Sequence, residues 1–338
     1  MNLNKFGEAL FLLFLGMALI SSPLLAQNYE DILKLSFNAQ SQVNFEGIKK
    51  TQIYTPNRIY SFTSKIIYQK PNFIYVEYLD PSQIKGRMII DDGEKRIEYL
   101  PGTDKKIKVL PSLNYPRIKE KKERVLKIML TNFNISKISE EKILERQVYV
   151  VSLYPKDSIS LFFKLWIDKK THLVLKKEKY NPEGKLILSS HYTKVNFNKH
   201  FSKENLYDKL SKIPSYIEES SSFSCYTLEE IKARVNFPIS FPGYLPPEYI
   251  FQEGEVKIEK KTVKMVYTNG LEVIVFFQRP SINITMGPHK QMKFDNLQIR
   301  FKEDPYGKTL VWNTKKKTFV LMAEVPLEEL IKIARSIK

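Results

Sequence analysis

Period-two alternation dominates this chain. In the stretch LFFKLWID, Leu161, Phe163, Leu165 and Ile167 alternate with Phe162, Lys164, Trp166 and Asp168, as in a strand with one apolar face. The polar run DKKT turns the chain into a second strand at 172–180. Asn181-Pro182-Glu183-Gly184 then reverses it, since Pro fixes φ early in a turn and Gly accepts positive φ late in one. A third strand follows at 185–195. The same pattern predicts strands at 47–54, 58–69, 72–79, 86–91, 95–100 and 105–110, punctuated by Thr-Pro-Asn, Lys-Pro, Asp-Pro, Asp-Asp-Gly and Pro-Gly, with a further strand over 145–154. Tyr60, Phe62, Ser64, Ile66 and Tyr68 give one face aromatic and aliphatic character, opposite Ser61, Thr63, Lys65 and Gln69. An antiparallel meander covered on one side accounts for this.

Two segments change period. Residues 28–42 place Ile32, Leu35, Phe37 and Ala39 near helical spacing, with Glu30 and Asp31 in the first turn, where acids complement the helix dipole. Residues 118–131 form an amphipathic helix, apolar at Val125, Leu126, Met129 and Leu130 and basic elsewhere. A strongly curved sheet without a second sheet against it needs helices or a ligand inside it, and these two helices are the candidates. From 201 to 226 the alternation decays into a polar linker with an SSFS tract. Thr227-Leu228-Glu229-Glu230 restarts the chain with a capping box. Four or five strands come next, with Thr268-Asn269-Gly270 as one turn, and Pro326 opens a closing helix over 327–337.

Composition bounds the possibilities. With 43% hydrophobic and 12% aromatic residues in 338, the chain can bury a core, and its length favours two domains. The lone Lys5, the short apolar run and Ala26 predict a signal peptide over 1–26, cleaved after Ala26. No Cys follows it to carry a lipid. Cys225 is the single cysteine, so an exported chain of this kind draws its stability from burial alone. The net charge is +17. Residues 27–200 hold 32 basic and 19 acidic side chains, net +13, and 201–338 hold 21 and 17, net +4. With an export signal and no recognition motif, nucleic acid is set aside. Anionic lipid, lipopolysaccharide or an acidic periplasmic polypeptide fits the first domain's field better.

Catalytic constellations are missing. His172, His191, His200 and His289 show no ligand spacing, and the chain has no H-E-x-x-H, G-x-S-x-G or phosphate loop. No metal or cofactor is expected. Asp91-Asp92-Gly93 reads as a hairpin turn and Cys225 as a linker thiol. Binding remains: in an open barrel, Phe62, Phe73, Tyr75, Phe163 and Trp166 are candidate walls of a lipid cavity, or ordinary core.

Several words resemble the MucB/RseB family of sigma-E regulatory proteins. KLWIDKKTHLVLKK and NPEGKLILSSHYT resemble its strand-turn-strand segment, with His172 in place of a turn Gly. VNFEGIKKTQIY resembles its first strand and IIDDGEKRIEYLPGTDKKIKVL its hairpin. In the second half, FPGYLPPEY, MVYTNGLEVIVFF and LMAEVPLEELIKIARSIK resemble the start, a strand and the closing helix of the second domain. The resemblance implies an α+β chain: a LolA-like open antiparallel half-barrel enclosing helices over 27–200, a linker over 201–226 and a smaller α+β domain over 227–338. It further implies a periplasmic, non-enzymatic negative regulator that binds the exported domain of an anti-sigma factor and shields it from proteolysis, with lipid sensing in the barrel. The alternative is a LolA-like carrier of lipoproteins or lipids, against which the second domain tells.

Overall fold

The computed structural model describes residues 29–337 apart from 102–105, 112–117, 158, 198–200, 203, 205–206, 209–215, 220–222, 283–288, 295–296 and 305–306. The signal peptide expected at 1–26 lies outside the described residues. A helix, α1 (Tyr29–Gln42), leads into β1 (Phe45–Tyr54), β2 (Ile59–Gln69), β3 (Phe73–Asp80), β4 (Met88–Asp91), β5 (Lys95–Leu100) and β6 (Lys106–Pro111). A second helix, α2 (Ile118–Asn132), separates these from β7 (Phe133–Ile143), β8 (Arg146–Pro155), β9 (Phe162–Asp168), β10 (Val174–Tyr180) and β11 (Leu186–Phe197).

Among the described residues these strands, with β12 (Tyr216–Glu219), make one sheet in the order β12-β6-β5-β4-β3-β2-β1-β11-β10-β9-β8-β7. The chain enters at the middle with β1 and meanders outward to β6. Helix α2 then carries it to the opposite edge, and β7 to β11 meander back until β11 pairs with β1. The outer strands β12 and β7 stay apart, so the barrel is open. The expected linker, 201–226, includes β12, which runs parallel to β6, and β13 (Phe223–Cys225), which joins the second sheet.

Strand β7 escapes the alternation argument. Its FNISKISEEKI is largely polar and carries a bulge between Lys137 and Ser139, which breaks the period. Elsewhere the turn chemistry acts as read. Gly184 has φ +80 and donates to Asn181 O at 2.9 Å. His172 takes φ +57 without being glycine, and its turn is fixed by Asp168. That buried carboxylate receives Arg146 through two 2.8 Å bonds and Thr171 through its N–H and hydroxyl at 2.7 and 2.6 Å. Burial opposes its ionisation, but the bonds from Arg146 and Thr171 outweigh burial and hold it below the usual carboxylate range.

Both faces of the first sheet are covered in places. Helices α1 and α2 pack Ile32, Leu33 and Met129 against Val151, Leu153, Phe163, Leu165 and Ile167. Fully burying one such side chain contributes roughly 1.5–3 kcal/mol. A second patch gathers Phe45, Ile66, Trp166, Leu175 and Tyr192. A third joins Ile67, Phe73, Tyr75, Met88 and Ile90 beneath Phe201 and Tyr207.

The second domain opens with α3 (Leu228–Arg234), whose Thr227 cap accepts from Glu230 N at 3.0 Å while the Glu230 carboxylate accepts from Tyr226 N. Its other elements are β14 (Ile250–Lys257), β15 (Thr262–Thr268), β16 (Val273–Pro280), β17 (Lys290–Phe294), β18 (Leu297–Asp304), β19 (Gly307–Asn313), β20 (Lys317–Ala323) and α4 (Leu327–Ser336). The sheet order is β13-β14-β15-β16-β20-β19-β18-β17, more strands than alternation predicted. One core holds it together, with Ile231, Met265, Phe276, Leu310, Leu321, Leu330 and Ile333 all closed to solvent. Cys225 belongs to that core, and burial pushes its thiol up.

Candidate functional site

Cross-strand partners share a face of a sheet, so the register says which side chains meet. One row runs Phe62–Thr51–Ser190–Lys177–Leu165 across β2, β1, β11, β10 and β9. The next row on that face runs Tyr60–Ile53–Leu188–Lys179–Phe163. Phe62 and Phe163 therefore lie on one face. Trp166 pairs with Lys176 and sits on the other. Ile67, paired with Tyr75, neighbours Glu46 rather than Phe45, which puts Tyr75, and Phe73 with it, on that other face too. The five candidate wall residues thus do not line one cavity. Phe73 and Tyr75 belong to the third apolar patch, Trp166 to the second and Phe163 to the helix-covered first, while Phe62 is half-buried. Strict parity between strands separates them: aromaticity belongs to each residue alone, whereas the face is set by pairing.

The face shared by Phe62 and Phe163 mixes apolar and cationic groups. Thr51 and Ser190 hydroxyls bond at 2.7 Å. Lys177 and Lys179 hold their ammonium groups 4.8 and 5.7 Å from the centre of the Phe163 ring. Burial first, then repulsion from Lys179 and Lys49, pushes Lys177 down to about 8, and burial lowers Lys49 as well. Lys179 crosses to the second domain, where it pairs with Glu324 at 2.5 Å.

At the end of this face a cleft of about 1030 Å³ opens between the domains. Its first wall includes Ile53, Tyr54, Arg58, Tyr60 and Leu188; the second includes Lys290, Phe301, Lys302, Glu303 and Glu324. Arg58 stacks 3.9 Å over the Tyr60 ring. Aromatic, aliphatic and charged groups of both signs suit a polypeptide more than a single small ion. Among the described residues no three of His, Cys, Asp and Glu are placed to hold a metal.

The geometry between the domains is fixed by the turn after β15. Asn132, at the end of α2, donates to Glu248 O at 3.0 Å and to Asn269 O at 3.1 Å. Asn269 donates to Ser160 Oγ and to Glu272, and Glu272 accepts from Leu161 N at 3.0 Å. Arg124 donates to the carbonyls of Phe251 and Gln252. Gly270 has φ +105, and a Cβ there would lie 2.5 Å from Met129 N. Glu272 is buried, and burial raises it to about 7 against its bonds from Leu161 and Asn269. The sequence marked Thr268-Asn269-Gly270 as a turn; that it grips a segment more than 100 residues away had no local signal.

Residues 85–210 match the MucB/RseB N-terminal domain, and residues 241–337 match a domain of unknown function, DUF4367. No curated protein sequence matches the chain. In structure the chain is similar to MucB in the complex of Pseudomonas aeruginosa MucA and MucB, with 16% identity, 91% of this chain and 98% of that one covered, and a TM-score of 0.57. It is similar to MucB in complex with the periplasmic part of MucA at 17% identity, with 91% and 97% covered and a TM-score of 0.57. Against MucB alone the identity is 16%, the coverage 91% and 96%, and the TM-score 0.55. These likenesses match the open-barrel-plus-second-domain architecture described above.

Proposed function

Because residues 85–210 match the MucB/RseB N-terminal domain, we propose that the chain is a periplasmic regulator that binds the exported domain of an anti-sigma factor. It acts by occupancy, without catalysis, and holds its partner away from the protease that would begin its destruction. The observation that carries this reading is the pairing of the two domains across an amphipathic cleft, in a chain similar over 91% of its length to a protein crystallised with MucA. Tyr54, Arg58 and Tyr60 on one wall and Phe301 on the other are the anchors such a cleft offers a polypeptide.

Lipid sensing is the finer part of the proposal. The face carrying Phe62, Phe163, Lys177 and Lys49 leads into the cleft, so an acyl chain with an anionic head on that face would compete with, or reshape, the partner's seat. Carrier activity of the LolA kind is the second reading; the bonds that tie the second domain to the first through Arg124, Asn132, Leu161 and Lys179 support regulation over it.

The test is direct. Mature protein is mixed with the periplasmic domain of an anti-sigma factor encoded in the same genome, and binding and protection from limited proteolysis are measured. Saturable capture with slowed cleavage is expected. Absence of capture of any such domain, together with extraction of lipidated proteins from membranes, would hand the function to the carrier reading.

A further inference from the structure

A second cavity, of about 790 Å³, lies wholly in the second domain, between the end of β16, the start of β20 and the segment 237–240. Its volume falls in the range that small organic ligands occupy, roughly 300–1,000 Å³. Phe237, Phe319 and Ile337 supply apolar wall. The charged groups that line it are Lys261, Arg279, Lys315, Lys316 and Lys317, and among the described lining residues there is no carboxylate. This sets it apart from the interdomain cleft, where Glu183, Glu303 and Glu324 stand among the cations.

Two of the cations are built in rather than trailing on the surface. Lys317 donates to Ser240 Oγ at 3.0 Å and approaches Gln278 Oε1 at 3.5 Å, and burial lowers its ammonium. Gln278 is itself anchored, accepting from Ser240 N at 2.8 Å and donating to Ser240 O at 2.7 Å. Arg279 follows it in the strand, and its Nε is buried with no acceptor. A buried guanidinium N–H without an acceptor is costly, and five like charges around one space repel one another. An occupant that brings negative charge relieves both, and one that also brings apolar surface uses the aromatic wall that an inorganic ion would leave unfilled.

We propose that this cavity binds an amphipathic anion, its phosphate or carboxylate head held by Arg279 and Lys317 and its apolar body laid against Phe237, Phe319 and Ile337. The site is independent of the anti-sigma reading and of the first domain's inner face.

The experiment titrates dodecyl phosphate, below its micelle concentration, into the mature protein by calorimetry, beside inorganic phosphate and the uncharged dodecyl maltoside. Dodecyl phosphate binds at least about tenfold more tightly than either. Arg279→Gln and Lys317→Gln each weaken it by about tenfold, as expected for a lost bond to a charged group, with folding checked by circular dichroism. Lys170→Gln, at an exposed turn of the first domain, leaves that binding unchanged. Trp312 stacks on Phe319 with centroids 5.3 Å apart, so in a Trp166→Phe background a brominated tail quenches the remaining tryptophan fluorescence. The proposal is overturned if the uncharged chain binds equally, if inorganic phosphate displaces the ligand at equal concentration, or if both charge variants bind as wild type does. The wild-type comparisons decide it even should a variant misfold.

Discussion

The two domains fill their interiors differently. The second has one continuous apolar core, from Cys225 and Ile231 through Phe276 to Ile333. The first divides its buried residues among three patches, and a row holding Thr51, Ser190 and Lys177 crosses the sheet between apolar neighbours. The patch under the helices is finished from outside, because Leu271 of the second domain packs on it. A continuous core specifies a shape by itself; a divided one leaves polar surface for a ligand and borrows rigidity from its neighbour. Three changes test that contrast.

Gly270→Ala has the largest expected effect. The new Cβ meets the Met129 backbone at 2.5 Å, and φ +105 is strained for any L side chain. Overpacking plus strain costs about 2–4 kcal/mol, and the loss falls on the first domain, which forfeits the contacts of Asn269 and Leu271. Scanning calorimetry should split unfolding into two steps, the first domain melting earlier. A single transition at the wild-type temperature would show that the first domain's interior stands alone.

Lys177→Met removes a desolvated charge while keeping an unbranched chain. Replacing a poorly compensated buried charge by apolar volume stabilises by roughly 1 kcal/mol, read as a raised denaturant midpoint. Destabilisation instead would mean that the polar row is structural, not a break in the core kept for a ligand.

A third test is in pH. Glu272 titrates near 7 in the folded chain and lower when unfolded, because burial raises it. Between those two values the folded state holds the proton more firmly, so the stability this group contributes is present at low pH and declines as pH rises toward 7. Midpoints measured from pH 5 to pH 8 should fall with pH, and Glu272→Gln should flatten the slope. An unchanged slope in that variant would remove Glu272 from the account of domain docking.

Much of the first sheet was legible because its strands alternate and its turns are chemically explicit. Asn181-Pro182-Glu183-Gly184 and the Asp168–Thr171 turn named their own geometry, and the Thr227–Glu230 cap did the same for α3. What escaped was non-local or aperiodic. Strand β7 hid behind Ser136, Ser139, Glu140 and Glu141. Aromatic type alone marks Phe73, Tyr75 and Trp166 as candidate wall residues, and only cross-strand register turns them away from Phe62 and Phe163. The grip of Asn269 and Glu272 on Ser160 and Leu161 joins positions 109 and 111 apart, a distance at which pattern carries no information.

The placement of β1 beside β11 sets the order in which the molecule can come into being. Thr51 meets Ser190 across 139 residues, so the strand made first in the sheet cannot gain one of its two neighbours until β11 emerges. Until then β1 through β6 form a half-sheet with an open central edge, and β7 through β11 assemble as a second half on the far side of α2. Joining the halves is a late, long-range step of the kind that slows folding and leaves strand edges available to other chains. Strand β1 therefore completes its pairing late, and pulse-labelled hydrogen exchange should find its β11-facing amides protected last.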